Sequence, residues 1–327
     1  MTSLRVLSRA EVIRALPMPA AIEAVKSAYA AVSAGQAAMP LRSHLSAAQD
    51  GLVLTMPAYL APQRALAIKV VSIYPHNPER GLPRIHALVT VLDAETGQPV
   101  AVLDGGALTA IRTGAASGAA TDVLARPEAR TLAVIGCGVQ ARRQLEAVCA
   151  VRPIESILIY DINRAAAEQF AAEMAETTSA RIAVSDSADA AVSVADVVCA
   201  ATTSQQPVFS GAVLKPGTHI NGVGSFTPDM REVDTLTLQR SLIVVDSREA
   251  IMNEAGELIH ALKSGAIASE AVQTELGEII NGDKPGRTRA DQITFFKSVG
   301  LAAQDAAAAA LVLRAAEQHG LGTQVDW

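Results

Sequence analysis

The apolar positions of this chain change their spacing twice. Over residues 8–34 they recur on one helical face: Ser8 is placed to cap the first turn, Pro17 interrupts, and Gly35 stops the run. Between residues 52 and 103 the spacing becomes that of strands. Val53, Ala67 and Ile68, Val70 and Val71, Ile73, Leu88 and Val89, and Val91 and Leu92 form short apolar, mostly β-branched runs. Asp93-Ala94-Glu95-Thr96-Gly97 predicts a hairpin loop between two of them. Gly105-Gly106 then opens an alanine-rich helix over 107–124, closed by Arg126-Pro127.

From residue 131 onward strands and helices alternate. Residues 131–135, 156–160, 195–200, 219–223 and 241–245 predict short buried strands, with helices such as 140–150 and 164–175 between them. That alternation argues for a doubly wound parallel sheet. The last 25 residues return to helix, opening on Ala302, Ala303 and a five-alanine run that ends at Ala310. No long internal repeat is present. The expected fold is α/β: a Rossmann doubly wound domain over 128–302, and an α+β domain made of 1–127 with 303–327.

Composition narrows the function classes. Half of the 327 residues are hydrophobic but only 3% are aromatic, and alanine makes up about a fifth of the chain, so the core is aliphatic and disorder is excluded. Twenty-seven basic against 33 acidic residues give a net charge of −6 with no basic block, so no nucleic-acid partner is expected. No uncharged apolar run is long enough to span a membrane, and Arg5, Arg9 and Glu11 stand where a signal peptide needs apolar residues. Cys137, Cys149 and Cys199 are odd in number and lack metal-ligand spacing, and the six histidines form no i, i+4 pair. A cytoplasmic protein without a metal is expected.

The sharpest chemical signal is Thr131-Leu-Ala-Val-Ile-Gly136-Cys-Gly138-Val139-Gln140-Ala141. A buried strand runs into Gly-x-Gly-x-x-Ala and a helix follows. Gly136 permits the tight turn, Gly138 leaves room for a pyrophosphate, and Ala141 lets the helix approach the sheet. Asp161, twenty residues after Ala141 at the end of the second strand, is where the fingerprint expects an acid for the ribose hydroxyls. A carboxylate there repels a 2′-phosphate, so NAD(H) is favoured. Arg164 offsets that repulsion in part and leaves NADP(H) open.

Three cations stand outside this motif. Lys69 lies inside an apolar strand, Arg112 on the alanine-rich helix beside Thr113, and Arg42 after Met39-Pro40. Cations in an apolar domain suggest a clamp for an anionic substrate. For Lys69 the pattern equally allows a charge kept on an edge strand for solubility.

The combination resembles the ornithine cyclodeaminase/mu-crystallin family. The resemblance rests on Lys69, Val102-Leu-Asp-Gly105, Thr109-Ala-Ile-Arg112-Thr113-Gly-Ala-Ala-Ser117, Gly136-x-Gly138-x-Gln140-Ala141, Asn221-Gly-Val-Gly224 and Lys297-Ser298-Val-Gly300, in this order over nearly the whole chain. It implies a substrate-binding and dimerisation domain beside a Rossmann domain, binding of NAD(P)(H), and action on small α-amino, α-keto or cyclic imino acids. It implies that Arg42, Lys69 and Arg112 cage the substrate carboxylate, with Gly300 also near the substrate. The cofactor contacts it implies are Arg112, Thr113, Gly136, Gly138, Val139, Gln140, Asp161, Arg164, Thr202, Ser225 and Val299. A homodimer is expected on the same ground.

Two departures bear on the reaction. The cyclodeaminase and alanine dehydrogenase branches carry a catalytic Asp at the position of Phe226, within x-Asp-x-Pro-Gly-Lys-x-Glu. This chain reads Ser225-Phe226-Thr227-Pro228-Asp229-Met230-Arg231-Glu232, which resembles the mu-crystallin and pyrroline-2-carboxylate reductase branch. Three residues before Pro57 stands Leu54, where those branches have Glu or Arg. A cyclodeaminase must deprotonate a side-chain amine, a task for acids this chain lacks. The expected reaction is therefore reduction of Δ1-pyrroline-2-carboxylate or Δ1-piperideine-2-carboxylate at C2, giving L-proline or L-pipecolate. Lys69 is the first candidate for the proton donor and Asp229 the second. Asp229 has an alternative use as the cap of a helix starting near Met230.

Overall fold

The computed structural model describes residues 3–327, which begin with a strand that the sequence pattern did not show, β1 (Ser3–Leu7), ahead of the expected helices. Five residues are too few to show a period, and their sheet partners come from residues near 101 and 325. Ser8 then caps α1 (Arg9–Ala15), with its amide donating to the Glu11 carboxylate at 2.9 Å. Pro17 precedes α2 (Met18–Ser33), which buries Ala21, Ile22, Val25, Ala28 and Tyr29 and ends before Gly35, at φ +68°.

Six strands follow: β2 (Ala37–Ala38), β3 (Ser43–Ala47), β4 (Gly51–Leu60), β5 (Ala65–Ile73), β6 (Ile85–Leu92) and β7 (Pro99–Asp104). The expected loop joins the last two, tightened by the Thr96 amide donating to Asp93 at 2.8 Å. Helix α3 (Gly105–Leu124) leaves this sheet. The contact division of the chain falls inside that helix. One unit is Met1–Arg112 with Leu301–Trp327, the other Thr113–Gly300. The breaks read from the sequence were 127/128 and 302/303. The second half of α3 instead belongs with the parallel sheet, because a side chain on Gly114 would meet the Arg143 carbonyl at 2.4 Å and Asn221 donates to Thr121 Oγ1 at 3.0 Å. Helical periodicity runs through such a boundary unchanged.

The second unit alternates as expected through β8 (Thr131–Ile135), α4 (Val139–Val151), β9 (Ser156–Tyr160), α5 (Arg164–Ala175), β10 (Arg181–Val184), α6 (Ala188–Val194), β11 (Val197–Ala200) and β12 (His219–Gly222). It continues with α7 (Thr235–Gln239), β13 (Ser241–Val245), α8 (Arg248–Glu254), α9 (Gly256–Lys263), α10 (Leu276–Ile280) and β14 (Ile293–Lys297). Its seven strands are all parallel in the order β10-β9-β8-β11-β12-β14-β13. The order reverses between β8 and β11, the position at which such sheets receive ligands beyond the carboxyl ends of their strands.

The chain returns to the first unit through α11 (Ala302–His319), buried on all sides from Ala302 to Ala309. It does not end in helix. Gly320, at φ +62°, stops α11, and β15 (Thr323–Asp326) pairs antiparallel with β1. The first unit's sheet therefore runs β15-β1-β7-β6-β5-β4-β2, with β3 on the far side of β4. Among the described residues no helix is long and apolar enough to cross a membrane.

Candidate active site

The period of two along β5 places Ala65, Ala67, Lys69 and Val71 on the buried face of the first sheet. β5 lies between β4 and β6, where Met56 and Val89 stand directly across from Lys69. The lysine is therefore not an edge charge: it is 2% exposed. Its partner is Asp305 on α11, whose Oδ2 accepts from Lys69 Nζ at 2.6 Å. The other oxygen of Asp305 accepts from Arg112 Nε at 3.0 Å. Gln304, next on the helix, accepts from Arg112 Nη1 at 2.8 Å and donates to the Tyr29 hydroxyl at 2.6 Å.

This arrangement carries more positive than negative charge. Two buried cations share one carboxylate, and Arg42, half-buried just before β3, adds its charge to the field at Lys69. Desolvation, followed by repulsion from Arg112, pulls Lys69 down to about 7 against the opposing pull of Asp305. Of the three ammonium donors only one is committed, and Arg112 Nη2 has no hydrogen-bond partner among the described residues. The donors left over on this cationic cluster can receive an anion with two acceptor oxygens. The surrounding sheet positions are apolar: Met56 and Val89 opposite, Leu54 two positions along the same face of β4.

In the second unit the turn between β8 and α4 has the form the fingerprint requires. Gly136 has φ +94°, and a Cβ there would lie 2.8 Å from the Ala201 carbonyl and 2.9 Å from Thr202 Cγ2. Gly138, the N-cap of α4, differs: a Cβ there would meet nothing within 4 Å. The space a side chain would fill is open, in front of helix amides that no capping side chain occupies. Val139 is exposed at this helix start, and the buried Oε1 of Gln140 has no hydrogen-bond partner. Asp161, at the end of β9, accepts from the Cys137 amide in the glycine turn and from the Asn163 amide, both at 2.8 Å. These residues fit a dinucleotide: backbone donors for phosphates and a fixed carboxylate for ribose hydroxyls. Cys137 is a packing residue, as its thiol is pushed up to about 12 by burial and by Asp161.

The other positions named from the sequence are placed as follows. Thr113 is buried, and its carbonyl accepts from Gln144. Thr202 and Ser225, on the loops after β11 and β12, are joined through Glu232. Val299 and Gly300 both donate their amides to the buried Asp246, so these N–H groups are already engaged. Arg164 is exposed and paired with Glu168 at 3.0 Å and Asp186 at 3.3 Å. Asp229 is exposed in a turn and caps nothing: no helix starts at Met230, and the following helix, α7, is capped by Asp234. The sequence reading missed Asp305 and Gln304, hidden in what looked like uniform alanine packing. The signal was present, because an acid and an amide inside a buried apolar helix are as anomalous as a lysine inside an apolar strand.

A sequence profile described as the ornithine cyclodeaminase/mu-crystallin family matches residues 3–320. The solved structure of Thermococcus litoralis Δ1-pyrroline-2-carboxylate reductase, in complex with NADH and L-proline, is similar at 44% identity and a TM-score of 0.95, over 98% of this chain and 100% of that one. A Δ1-pyrroline-2-carboxylate reductase of Bacillus cereus is 38% identical over 324 residues, 98% of this chain and 99% of its own. An archaeal alanine dehydrogenase dimer with bound NAD is similar at 36% identity and a TM-score of 0.93, over the full length of both chains.

Proposed function

Since the chain belongs to the ornithine cyclodeaminase/mu-crystallin family, we propose that it is an NAD(P)H-dependent ketimine reductase, converting Δ1-pyrroline-2-carboxylate, Δ1-piperideine-2-carboxylate or both to L-proline or L-pipecolate. The observation that carries this reading is the buried Lys69–Asp305–Arg112 cluster, cationic overall and walled by Met56, Leu54 and Val89. A cyclic imino acid presents one carboxylate and an apolar ring. The cluster offers donors to the first and hydrocarbon to the second, and the strand positions beside Lys69 hold no acid to grip a second amine.

In this mechanism Arg112 and Lys69 receive the carboxylate, and Arg42 adds to the field that attracts it. Held at that end, the ring keeps C2 and its nitrogen in one orientation. Lys69 carries the proton for the ring nitrogen; with its pKa near 7 the ammonium can release it at neutral pH. Asp305 keeps the ammonium in place and Gln304 fixes the plane of the Arg112 guanidinium. The turn at Gly136 and Gly138, α4 and Asp161 would hold the dinucleotide, which when bound supplies the hydride for C2.

The pH profile follows in sign. The active form of Lys69 is protonated, so kcat/KM is on a plateau below about pH 7 and falls about tenfold per unit of pH above it. Initial rates at subsaturating imine from pH 5.5 to 9 measure this; a flat profile to pH 9 removes Lys69 as donor. For the cofactor we infer a preference for NADH, since Asp161 is fixed in the turn while Arg164 is taken up by two surface carboxylates. Asp161→Ser should shift the ratio of kcat/KM for NADPH over NADH upward by about tenfold or more. An unchanged ratio would place cofactor choice elsewhere.

We also infer a homodimer. The outward face of the first sheet exposes Leu45 at 65%, Leu88 at 44% and Ile68 at 36%, more apolar surface than a lone sheet face needs. A monomeric mass in sedimentation equilibrium at micromolar concentration would contradict it. The reaction itself is tested by following NADH and NADPH oxidation with both cyclic imines. NAD-dependent release of proline from ornithine without imine turnover would make the protein a cyclodeaminase instead, and ammonia-dependent reduction of pyruvate an alanine dehydrogenase.

A further inference from the structure

Ligands of parallel α/β sheets sit on the loops beyond the carboxyl ends of the strands, and in the second unit those loops are tied down by buried carboxylates. Glu232 is fully buried and collects four donors. Its Oε1 accepts from the amide of Thr202 at 2.6 Å and from the Thr202 hydroxyl at 2.9 Å, on the loop after β11. Its Oε2 accepts from the amides of Gly224 at 2.6 Å and Ser225 at 3.2 Å, on the loop after β12. The two loops are pressed together here: a Cβ on Gly224 would lie 2.1 Å from the Thr202 carbonyl and 2.5 Å from Glu232 Oε1. Ser225 is held again by Lys297, which donates to its carbonyl at 2.6 Å and is itself paired with Glu257 at 2.9 Å.

We propose that Glu232 is a positioning residue that shapes the Thr202 and Ser225 loops into the part of the cradle receiving the nicotinamide half of the dinucleotide, without touching that half itself. This rests on the dinucleotide reading given above. The donor count gives the inference its edge. Four donors converge on two oxygens, and only an ionised carboxylate presents acceptors at both. Burial pushes the Glu232 carboxyl up, and the nearby Lys297 ammonium draws it back. A glutamine keeps the size of the side chain but replaces one oxygen with an NH2. Whichever way it turns, an N–H then faces an N–H across a buried contact, and the two loops must part. The glycine turn and Asp161, which serve the other half of the dinucleotide, make no hydrogen bond with Glu232.

The test compares two ligands on the full-length protein. Glu232→Gln should raise the Kd for NADH by about tenfold or more while the Kd for ADP-ribose, which lacks the nicotinamide, stays within about twofold. With the imine as substrate, kcat should fall more than the imine KM rises. Thr202→Val removes one donor without adding an opposing one, and should show the same split between ligands at smaller size. The proposal is overturned if Glu232→Gln leaves NADH affinity and kcat unchanged, or if NADH and ADP-ribose weaken by the same factor in Thr202→Val. Failure of the unaltered protein to reduce any cyclic imine would remove the proposed reaction and leave this comparison intact.

Discussion

Lys69→Ala is expected to lower kcat/KM for the cyclic imine by about a thousandfold to ten-thousandfold, with the Kd for NADH changed by less than about twofold. The size follows from two losses at one atom. General acid catalysis is worth about a hundredfold to ten-thousandfold, and a buried charged contact to the substrate carboxylate about 2–5 kcal/mol where its partner is left unpaired. The two do not add fully, because the same ammonium makes both. The fold should survive, since Arg112 still balances Asp305 and the cavity is lined by Met56 and Val89. Lys69→Arg should not rescue activity: a guanidinium keeps the charge but does not release a proton at neutral pH. Steady-state kinetics beside a fluorescence titration with NADH decide the matter. If NADH affinity falls as far as kcat/KM, Lys69 supports the structure and not the substrate.

The second large effect is at Gly138. Because a Cβ there meets nothing within 4 Å, Gly138→Val should leave the melting temperature within about 2 °C of the parent, yet weaken NADH binding by about a hundredfold or more, since the side chain fills the space the phosphates need. Gly136→Val should behave in the opposite way. Its φ of +94° and the Ala201 carbonyl at 2.8 Å make any side chain strained, and a loss of stability of about 2–4 kcal/mol is expected. Thermal melts and NADH titrations of the two variants separate a ligand space from a packing constraint. A Gly138→Val protein that binds NADH normally would mean that the phosphates lie elsewhere.

These two residues also mark where sequence reasoning succeeds. The glycine turn was legible because its parts are local: strand, Gly136, Gly138, helix and Asp161 fall within about thirty residues, and each has a backbone reason to be there. The strand around Lys69 was legible from the apolar runs on either side of it, and the structure places it at Ala65–Ile73. What could not be read was which partner makes a charge tolerable. Asp305 stands 236 positions from Lys69 in the chain, and nothing local announces that α11 passes over β5. The edge-or-interior question for Lys69 had the same root, since strand order is a property of the sheet and not of the strand. β1 and β15 escaped for a related reason: each is five residues or fewer, and each is stabilised by pairing with the other across the whole length of the chain. Asp229 shows the converse error. Its spacing after a proline suggested a cap or a catalytic acid, while the carboxylates that organise that region are Glu232, fully buried, and Asp234, the actual cap.

The central claim is that this chain delivers a hydride to C2 of a cyclic imine whose carboxylate is held by Arg112 and Lys69. The most direct measurement incubates the protein with Δ1-pyrroline-2-carboxylate and NADH deuterated at the transferable C4 position, then locates the label by NMR and mass spectrometry of the product. The expected product is L-proline with a single deuterium at C2, formed in step with NADH oxidation and about a thousandfold or more slower with Lys69→Ala. Unlabelled proline, or NADH oxidation without any proline, would contradict it.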